Sequence, residues 1–498
     1  MSDDTSTDLV RDATSLGLLT DLYQLTMAAG YVEFGRAERE AVFNLFFRRN
    51  PFGGAYAVAC GLEQVLELIH AFHYSAGDVD YLAGLSGNDG QPLFRPAFLD
   101  YLRELDIRVD IDAVPEGTVV FPHEPLLRLR GPLAQCQLLE TALLTIINFQ
   151  TLIATKAARI TQAAEGDPVL DFGLRRAQGL DGGLSATRAT YVGGCAGTSN
   201  VLAGRRFGIP VRGTHAHSWV MSFNSEVEAF EAWAEASPNN CTFLVDTYDT
   251  IQGIRNAIRT AETLRRRGFE MGGIRLDSGD FVDLSRQARQ MLDGAGFPDA
   301  AVVASNDLDE HRVARLKRDG AAINLWGIGT RLITAHDQPA LGGVYKLAAI
   351  RDDDGAWSPR LKLSEVPGKT SNPGIQQVRR FSEGGRFVAD VLYDETAGLS
   401  EPYGWVDGEG ERHPIPPAAT GDDLLQPVMR QGKPLADGPS LATVRAHAQD
   451  QLGRLDPAVR HLVEPSAYSV GLDEHLHQLK EHLTAEARED APSQPAVV

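Results

Sequence analysis

Cysteine is scarce in this chain of 498 residues: Cys60, Cys136, Cys195 and Cys241 lie far apart and form no CxxC pair. That spacing supports neither a zinc site nor a disulfide framework, and it fits a reducing, cytoplasmic setting. Positive charge is also in deficit, with 47 Lys and Arg against 67 Asp and Glu, a net −20. A chain this acidic repels phosphate backbones and anionic membranes at long range, so nucleic acid and membrane surfaces are excluded as partners. No uninterrupted apolar run of membrane-spanning length occurs. The longest, over 138–160, is broken by Glu140, Asn148, Gln150 and Lys156. Its apolar positions Leu139, Leu143, Ile146, Ile147 and Ile153 read as a buried helix. The first residues carry no basic segment followed by an apolar one, so no signal peptide is expected. There is no GxxxxGK[ST] motif, which excludes ATP binding by a P-loop, and no short internal repeat.

What is present is ordinary globular material, 43% hydrophobic and 23% charged, in a length that calls for two or three packed units. Residues 1–135 mix helices and strands: 18–31 has helical spacing, 41–48 alternates like a strand around Val42, Phe43, Leu45 and Phe47, and Pro51-Phe-Gly-Gly is a turn. Residues 136–335 are more regular. Apolar runs recur at 169–172, 209–211, 243–246, 273–277, 301–304 and 323–326, with helical stripes between several of them. The clearest stripes are Ile251, Ile254, Ile258, Ala261 and Leu264, then Phe281, Leu284, Ala288 and Met291, then Val313 and Leu316. Strand and helix alternating at such intervals imply a parallel sheet with helical crossovers. Beyond about 340 the pattern changes: 360–364 and 378–381 read as strands, 441–455 as a helix, and 336–483 as a C-terminal region. The polar segment 484–498, with Pro492 and Pro495, reads as a disordered tail.

The polar residues sharpen the fold. Nearly every apolar run of the middle region ends in a loop rich in Gly, Arg, Asp, Thr or His: 172–176, 213–218, 246–249, 277–280, 305–307 and 327–330. Chemical groups gathered at the C-terminal ends of successive strands are the pattern of an (α/β) barrel, whose strand ends share one rim. A doubly wound sheet would concentrate them at one switch point.

Several of these loops can do chemistry. Arg175, Arg176 and Arg275 belong to one presumed rim, and guanidinium forks match phosphate and carboxylate. Gly327-Ile-Gly-Thr330 follows a strand, and its glycines let the backbone approach an anion, although an ordinary turn looks the same. His215 and His217 in Gly213-Thr-His-Ala-His-Ser218 suit a nucleophile, a metal pair with Asp246 and Asp277, or a structural role. The acids of Asp277-Ser-Gly-Asp280 suit ribose hydroxyls, Mg2+ or the capping of a helix.

Taken together, Thr20-Asp-Leu-Tyr-Gln-Leu-Thr-Met27, Phe172-Gly-Leu-Arg-Arg-Ala-Gln-Gly179, Gly213-Thr-His-Ala-His-Ser218, Arg275-Leu-Asp-Ser-Gly-Asp280 and Gly327-Ile-Gly-Thr330 resemble the nicotinate phosphoribosyltransferase family, and Tyr345-Lys-Leu347 continues the match. The resemblance runs from about residue 16 to about 480. The acidic diad before Thr-Gly that marks the commoner phosphoribosyltransferases is absent. The resemblance implies a type II phosphoribosyltransferase fold: an incomplete TIM-like (α/β) barrel over 136–335, plus an α/β domain built from N- and C-terminal segments. It also implies a homodimer with the active site at the subunit junction, and joining of nicotinate to phosphoribosyl pyrophosphate with ATP as co-substrate and Mg2+ as cofactor. It assigns Tyr23, Phe172, Thr214 and Arg275 to nicotinate, and Arg175, Asp277, Gly327, Gly329 and Thr330 to the phosphoribosyl and phosphate groups. His217 is implied as the histidine transiently phosphorylated by ATP. The segment 192–199 carries no acid, which suits a carboxylate rather than a carboxamide substrate. The rival readings are a nicotinamide or quinolinate phosphoribosyltransferase, a metal-dependent barrel hydrolase using His215 and His217, and a non-catalytic phosphate-ligand sensor.

Overall fold

The computed structural model describes residues 15–364 and 369–489. It divides into two compact units, the first made from the chain up to Leu152 and from Ala340 onward, the second spanning Ile153–Pro339. The first unit is discontinuous because its strands pair across the sequence. Glu40–Phe47 lies antiparallel to Gly343–Arg351 on one side and to Leu127–Pro132 on the other, and Gln426–Arg430 joins Asp110–Ala113. These strands belong to a seven-stranded sheet. A second, six-stranded sheet is centred on Arg386–Asp394, which pairs with Gln376–Glu383 and Ser469–Leu472. Phe381, Ala389, Val391 and Ile415 form one of the apolar clusters of this unit.

Segments 18–31 and 41–48 are close to the observed helix Leu22–Glu33 and strand Glu40–Phe47. The run at 360–364 is not a strand: the pairing falls just before it, at Trp357–Pro359. Residues 484–489, expected in the polar tail, continue the helix Glu474–Glu489, and 490–498 lie outside the described residues.

The second unit holds a six-stranded parallel sheet. Its pairing order is Gly197–Thr198, Val169–Asp171, Leu325–Ile328, Ala301–Ser305, Gly273–Leu276, Thr242–Leu244. Thus the last strand in sequence returns to pair with the first. The expected strand at 209–211 is reduced to a single parallel bridge between Thr198 and Val211. The short strand Gly197–Thr198 takes its place. It was not legible as an apolar run because its two residues are Gly and Thr. The last strand also sits two residues later than the 323–326 run, so Gly327 and Ile328 are still strand.

Aspartates at the strand ends start the crossover helices. Asp249 caps Thr250–Arg266 by accepting from Gln252 N at 2.7 Å, Asp280 caps Phe281–Gly294 through Val282 N and Asp283 N, and Asp309 caps Glu310–Arg318 through Arg312 N at 2.8 Å. Each satisfies backbone donors that the first helical turn leaves unpaired. Of the expected stripes, Ile254, Ala261 and Leu264 are buried on the first of these helices and Phe281 and Ala288 on the second, while Ile251, Ile258, Leu284 and Met291 are half-buried. Capping therefore accounts for Asp280 and leaves Asp277 for other work.

Candidate active site

The parallel register puts the strand-end loops of the second unit side by side. Ala304 is level with Leu276, and Ser305 with Gly327. Asp171, the last residue of its strand, is fully buried and accepts from Gly173 N at 2.8 Å, Thr187 Oγ1 at 3.0 Å and Thr198 Oγ1 at 2.9 Å. Burial raises its pKa, and those three hydrogen bonds oppose the rise. The carboxylate fixes the loop that follows, which carries Phe172 and Arg175. Nothing in the residue pattern singled out Asp171 beyond an acid at the end of an apolar run.

The Phe172 and Gly327–Thr330 loops then lock together. Phe172 N donates to Ile328 O at 2.8 Å. A Cβ at Gly327 would stand 2.7 Å from the Phe172 ring, and one at Gly173 would stand 2.5 Å from Ile333 Cβ. Only glycine permits either approach. Gly329 stands where a Cβ would be 3.2 Å from Phe172 O, and Thr330 is exposed at the start of the short helix Thr330–Ile333.

Arg275 is the centre of charge. Its Nη1 donates to Thr214 Oγ1 at 2.9 Å, while its Nε is buried with no hydrogen-bond partner among the described residues. Burial lowers its pKa. The acids Asp277 and Asp246 oppose that shift, and Arg175 adds to it, so the two arginines are close enough to repel. The half-buried guanidinium thus has a neutral hydroxyl, and no carboxylate, in hydrogen-bond contact among the described residues.

His217 begins the helix His217–Met221 with its ring about 40% exposed. Its Nδ1 is 3.1 Å from Thr247 Oγ1 and its Nε2 4.0 Å from Asp277 Oδ2. Asp277 is itself held: Ser305 Oγ donates to its Oδ1, and its backbone N donates to Asp246 Oδ2 at 2.8 Å. Thr247 was missed in the sequence, although it follows a strand in Asp246-Thr-Tyr-Asp249, because its partner is set by the neighbouring loop. His215 is different. It is buried against Trp233 and Phe230, and its Nε2 accepts from Leu244 N at 3.3 Å. Burial, with Arg275 and His217 nearby, brings its pKa down to about 4, so it stays neutral. Of the three readings of the histidine pair, the structural one holds for His215, and the metal pair loses one of its two ligands.

Tyr23 belongs to the first unit. It lies on the helix Leu22–Glu33, 47% exposed, with Gln24 Nε2 at 3.4 Å from its hydroxyl. Burial and Glu140 raise its pKa. Leu22, Met27 and Phe34 are exposed on or beside the same helix. The first unit also gathers cations around the Tyr345-Lys-Leu347 motif: burial lowers the pKa of Lys346, Glu140 opposes the shift, and Arg48 and Lys362 reinforce it.

Three family models match this chain. Residues 18–148 match the nicotinate phosphoribosyltransferase N-terminal domain, 168–358 the nicotinate phosphoribosyltransferase family, and 376–480 the nicotinate phosphoribosyltransferase C-terminal domain. Nicotinate phosphoribosyltransferase of Bacillus subtilis is 42% identical over 96% of this chain and 98% of its own length.

The chain belongs to the nicotinate phosphoribosyltransferase family.

The human relative of the same name is 38% identical over 95% of this chain and 97% of its own length. A crystal structure of human nicotinic acid phosphoribosyltransferase superposes with a TM-score of 0.82 at 36% identity, covering 93% of this chain and 99% of that one. A nicotinate-nucleotide pyrophosphorylase from Pyrococcus furiosus shares the fold, with a TM-score of 0.66 at 23% identity over 88% of this chain and 95% of that one. No helix among the described residues is long and apolar enough to cross a membrane.

Proposed function

We infer that this member of the family is a nicotinate phosphoribosyltransferase of NAD salvage. It converts nicotinate, 5-phosphoribosyl 1-pyrophosphate, ATP and water to nicotinate mononucleotide, diphosphate, ADP and phosphate. The observation that carries the reading is the half-buried Arg275 guanidinium, which lies near Arg175 and, among the described residues, has the neutral Thr214 hydroxyl and no carboxylate in hydrogen-bond contact. A pyridine carboxylate fills that position. Phe172, locked against Gly327, stacks on the ring, and the absence of an acid in 192–199 suits a carboxylate over a carboxamide.

The ring nitrogen attacks the anomeric carbon, the C–N bond forms as the C–O bond breaks, and pyrophosphate leaves with the electron pair. Positioning and stabilisation of the departing anion supply much of the rate. Arg175 and the Gly327, Gly329 and Thr330 loop hold phosphate, and Asp277 holds ribose hydroxyls. His217 takes the phosphoryl group of ATP on its imidazole and returns it to water once product has formed. Thr247 and Asp277 flank the two ring nitrogens and orient the ring for that transfer. Oxygen donors for Mg2+ are at hand: Asp246 has a buried Oδ1 without a hydrogen-bond partner among the described residues, and Asp277 lies beside it. When bound, the cation offsets pyrophosphate charge.

The sheet order, in which Leu325–Ile328 closes onto Val169–Asp171 while no pairing joins Val211 to Thr242–Leu244 among the described residues, supports an incomplete TIM-like (α/β) barrel. The apolar face of Leu22–Glu33 supports a homodimer in which Tyr23 reaches the partner's active site. Four buried, unbridged cysteines support a cytoplasmic setting.

The test is formation of nicotinate mononucleotide by purified protein with and without ATP, for the wild type and His217→Ala. The wild type gains yield from ATP, and the variant stays folded and loses that gain. An ATP effect of normal size in the variant refutes the role of His217, and turnover of nicotinamide but not nicotinate refutes the substrate.

A further inference from the structure

The Gly327–Thr330 loop needs an anchor. The helix that follows it, Thr330–Ile333, has four residues, too few to be self-supporting. Gly329 links it to the strand with φ −114° and ψ −99°, neither strand nor helix. Leu332 and Ile333 are fully buried and fix one side of this short helix, where Ile333 meets Gly173. The other side is held by Arg331, the residue after Thr330. Its Nη1 lies 2.7 Å from Asp309 Oδ2, with the arginine side chain 34% and the aspartate 10% exposed.

Asp309 is a rigid base for that contact. Its Oδ1 caps the helix Glu310–Arg318 through Arg312 N, leaving Oδ2 for Arg331. The next residue, Glu310, is 1% exposed and pairs with Lys156 Nζ at 2.7 Å and Arg159 Nε at 3.0 Å, both on the buried helix Glu140–Ala163. An ion pair with one end fixed by a helix cap costs little further ordering when it forms. Every link from Lys156 to Thr330 is within hydrogen-bond distance or one residue along the chain.

We propose that Asp309 and Arg331 are positioning residues for the phosphate loop, acting through their ion pair to set where Gly329 and Thr330 meet the phosphoribosyl phosphate. The proposal rests on the reading that this loop holds phosphate. Arg331 is committed to Asp309 rather than to substrate, so losing either partner has the same consequence.

The test is steady-state kinetics on Asp309→Asn, Arg331→Ala, the double variant, Arg331→Lys and Thr330→Ala, with melting temperatures alongside. Asn preserves the helix cap and removes the charge. Asp309→Asn and Arg331→Ala are expected to raise KM for phosphoribosyl pyrophosphate about five- to ten-fold while kcat and KM for nicotinate hold within about two-fold. The double variant is no worse than the worse single, and Arg331→Lys recovers part of the loss. A purely structural pair would lower the melting temperature without moving that KM, which overturns the proposal. So does a damaging Arg331→Ala beside a harmless Asp309→Asn, because Arg331 would then be a direct ligand. Thr330→Ala separates the two levels: if it raises KM and the pair variants do not, only the anchor fails. If none of them raises KM, the phosphate reading of the loop fails as well.

Discussion

Arg275, half-buried, and Arg380, buried, lie one in each unit, and their surroundings differ in kind. Arg380 is 3% exposed. Its Nε reaches both oxygens of Asp390, at 2.9 and 3.1 Å, and its Nη1 reaches Gln451 at 3.2 Å. Tyr468 donates to the same carboxylate at 2.9 Å, and the guanidinium lies over the Phe387 ring, 4.6 Å from its centroid. Burial works to lower the Arg380 pKa, but Asp390 outweighs it and the net shift is upward. Arg275 has a neutral hydroxyl in hydrogen-bond contact and an unfilled Nε, and its net shift is downward. A buried cation matched with a carboxylate is part of the architecture, whereas the proposed function assigns the one left short of an anion to the nicotinate carboxylate. The carboxyl of Glu124 marks the same contrast from the acid side. Burial, with Asp390 nearby, raises its pKa, and Arg380 opposes the shift.

The contrast breaks most visibly at Arg380. Arg380→Met leaves Asp390 buried without its cation and is expected to cost about 3–5 kcal/mol of stability, read from denaturant unfolding. A loss below about 1 kcal/mol, the scale of an exposed pair, would mean the cluster is not structural. Arg275→Ala should do the reverse. It removes a charged hydrogen bond to substrate of about 1.5–3 kcal/mol, raising KM for nicotinate about 10- to 100-fold, while the unfolding midpoint holds or rises. An unchanged KM contradicts the assignment.

His215 sharpens the comparison through pH. Its folded pKa, about 4, lies below the ordinary histidine value of about 6.5. Below pH 6.5 the unfolded chain binds a proton that the folded one refuses. Its contribution to stability is therefore complete above about 6.5 and is lost as pH falls toward 4, with a slope of at most about 1.4 kcal/mol per pH unit. His215→Asn should flatten that part of the stability profile, and an identical profile would show that another group sets it. The smallest effect is expected at Thr214→Val. It deletes one neutral partner of Arg275, for about 0.5–1.5 kcal/mol in nicotinate KM, and a loss as large as that of Arg275→Ala would make Thr214 the principal ligand.

The sequence made some of this legible and hid the rest for physical reasons. Strands with apolar runs at 169–171, 273–276 and 301–305 could be read because both faces of a parallel sheet are buried. The strand Gly197–Thr198 carries no such run, and 209–211 is apolar but makes only one bridge. The polar strand-end loops drew attention to Arg275 and His217. Which hydroxyl or carboxylate each one meets depends on strand register, so Thr247, Asp171 and the Asp309–Arg331 pair could be found only in three dimensions. Asp277 and Asp280, equivalent in the sequence, part company for the same reason: one faces His217 and the other caps a helix.

The most direct measurement is a crystal structure of the protein with nicotinate bound. The carboxylate is expected about 3 Å from the Arg275 guanidinium, over the strand ends, with the ring against Phe172. A carboxylate bound elsewhere, with Arg275 still joined only to Thr214, would contradict the account.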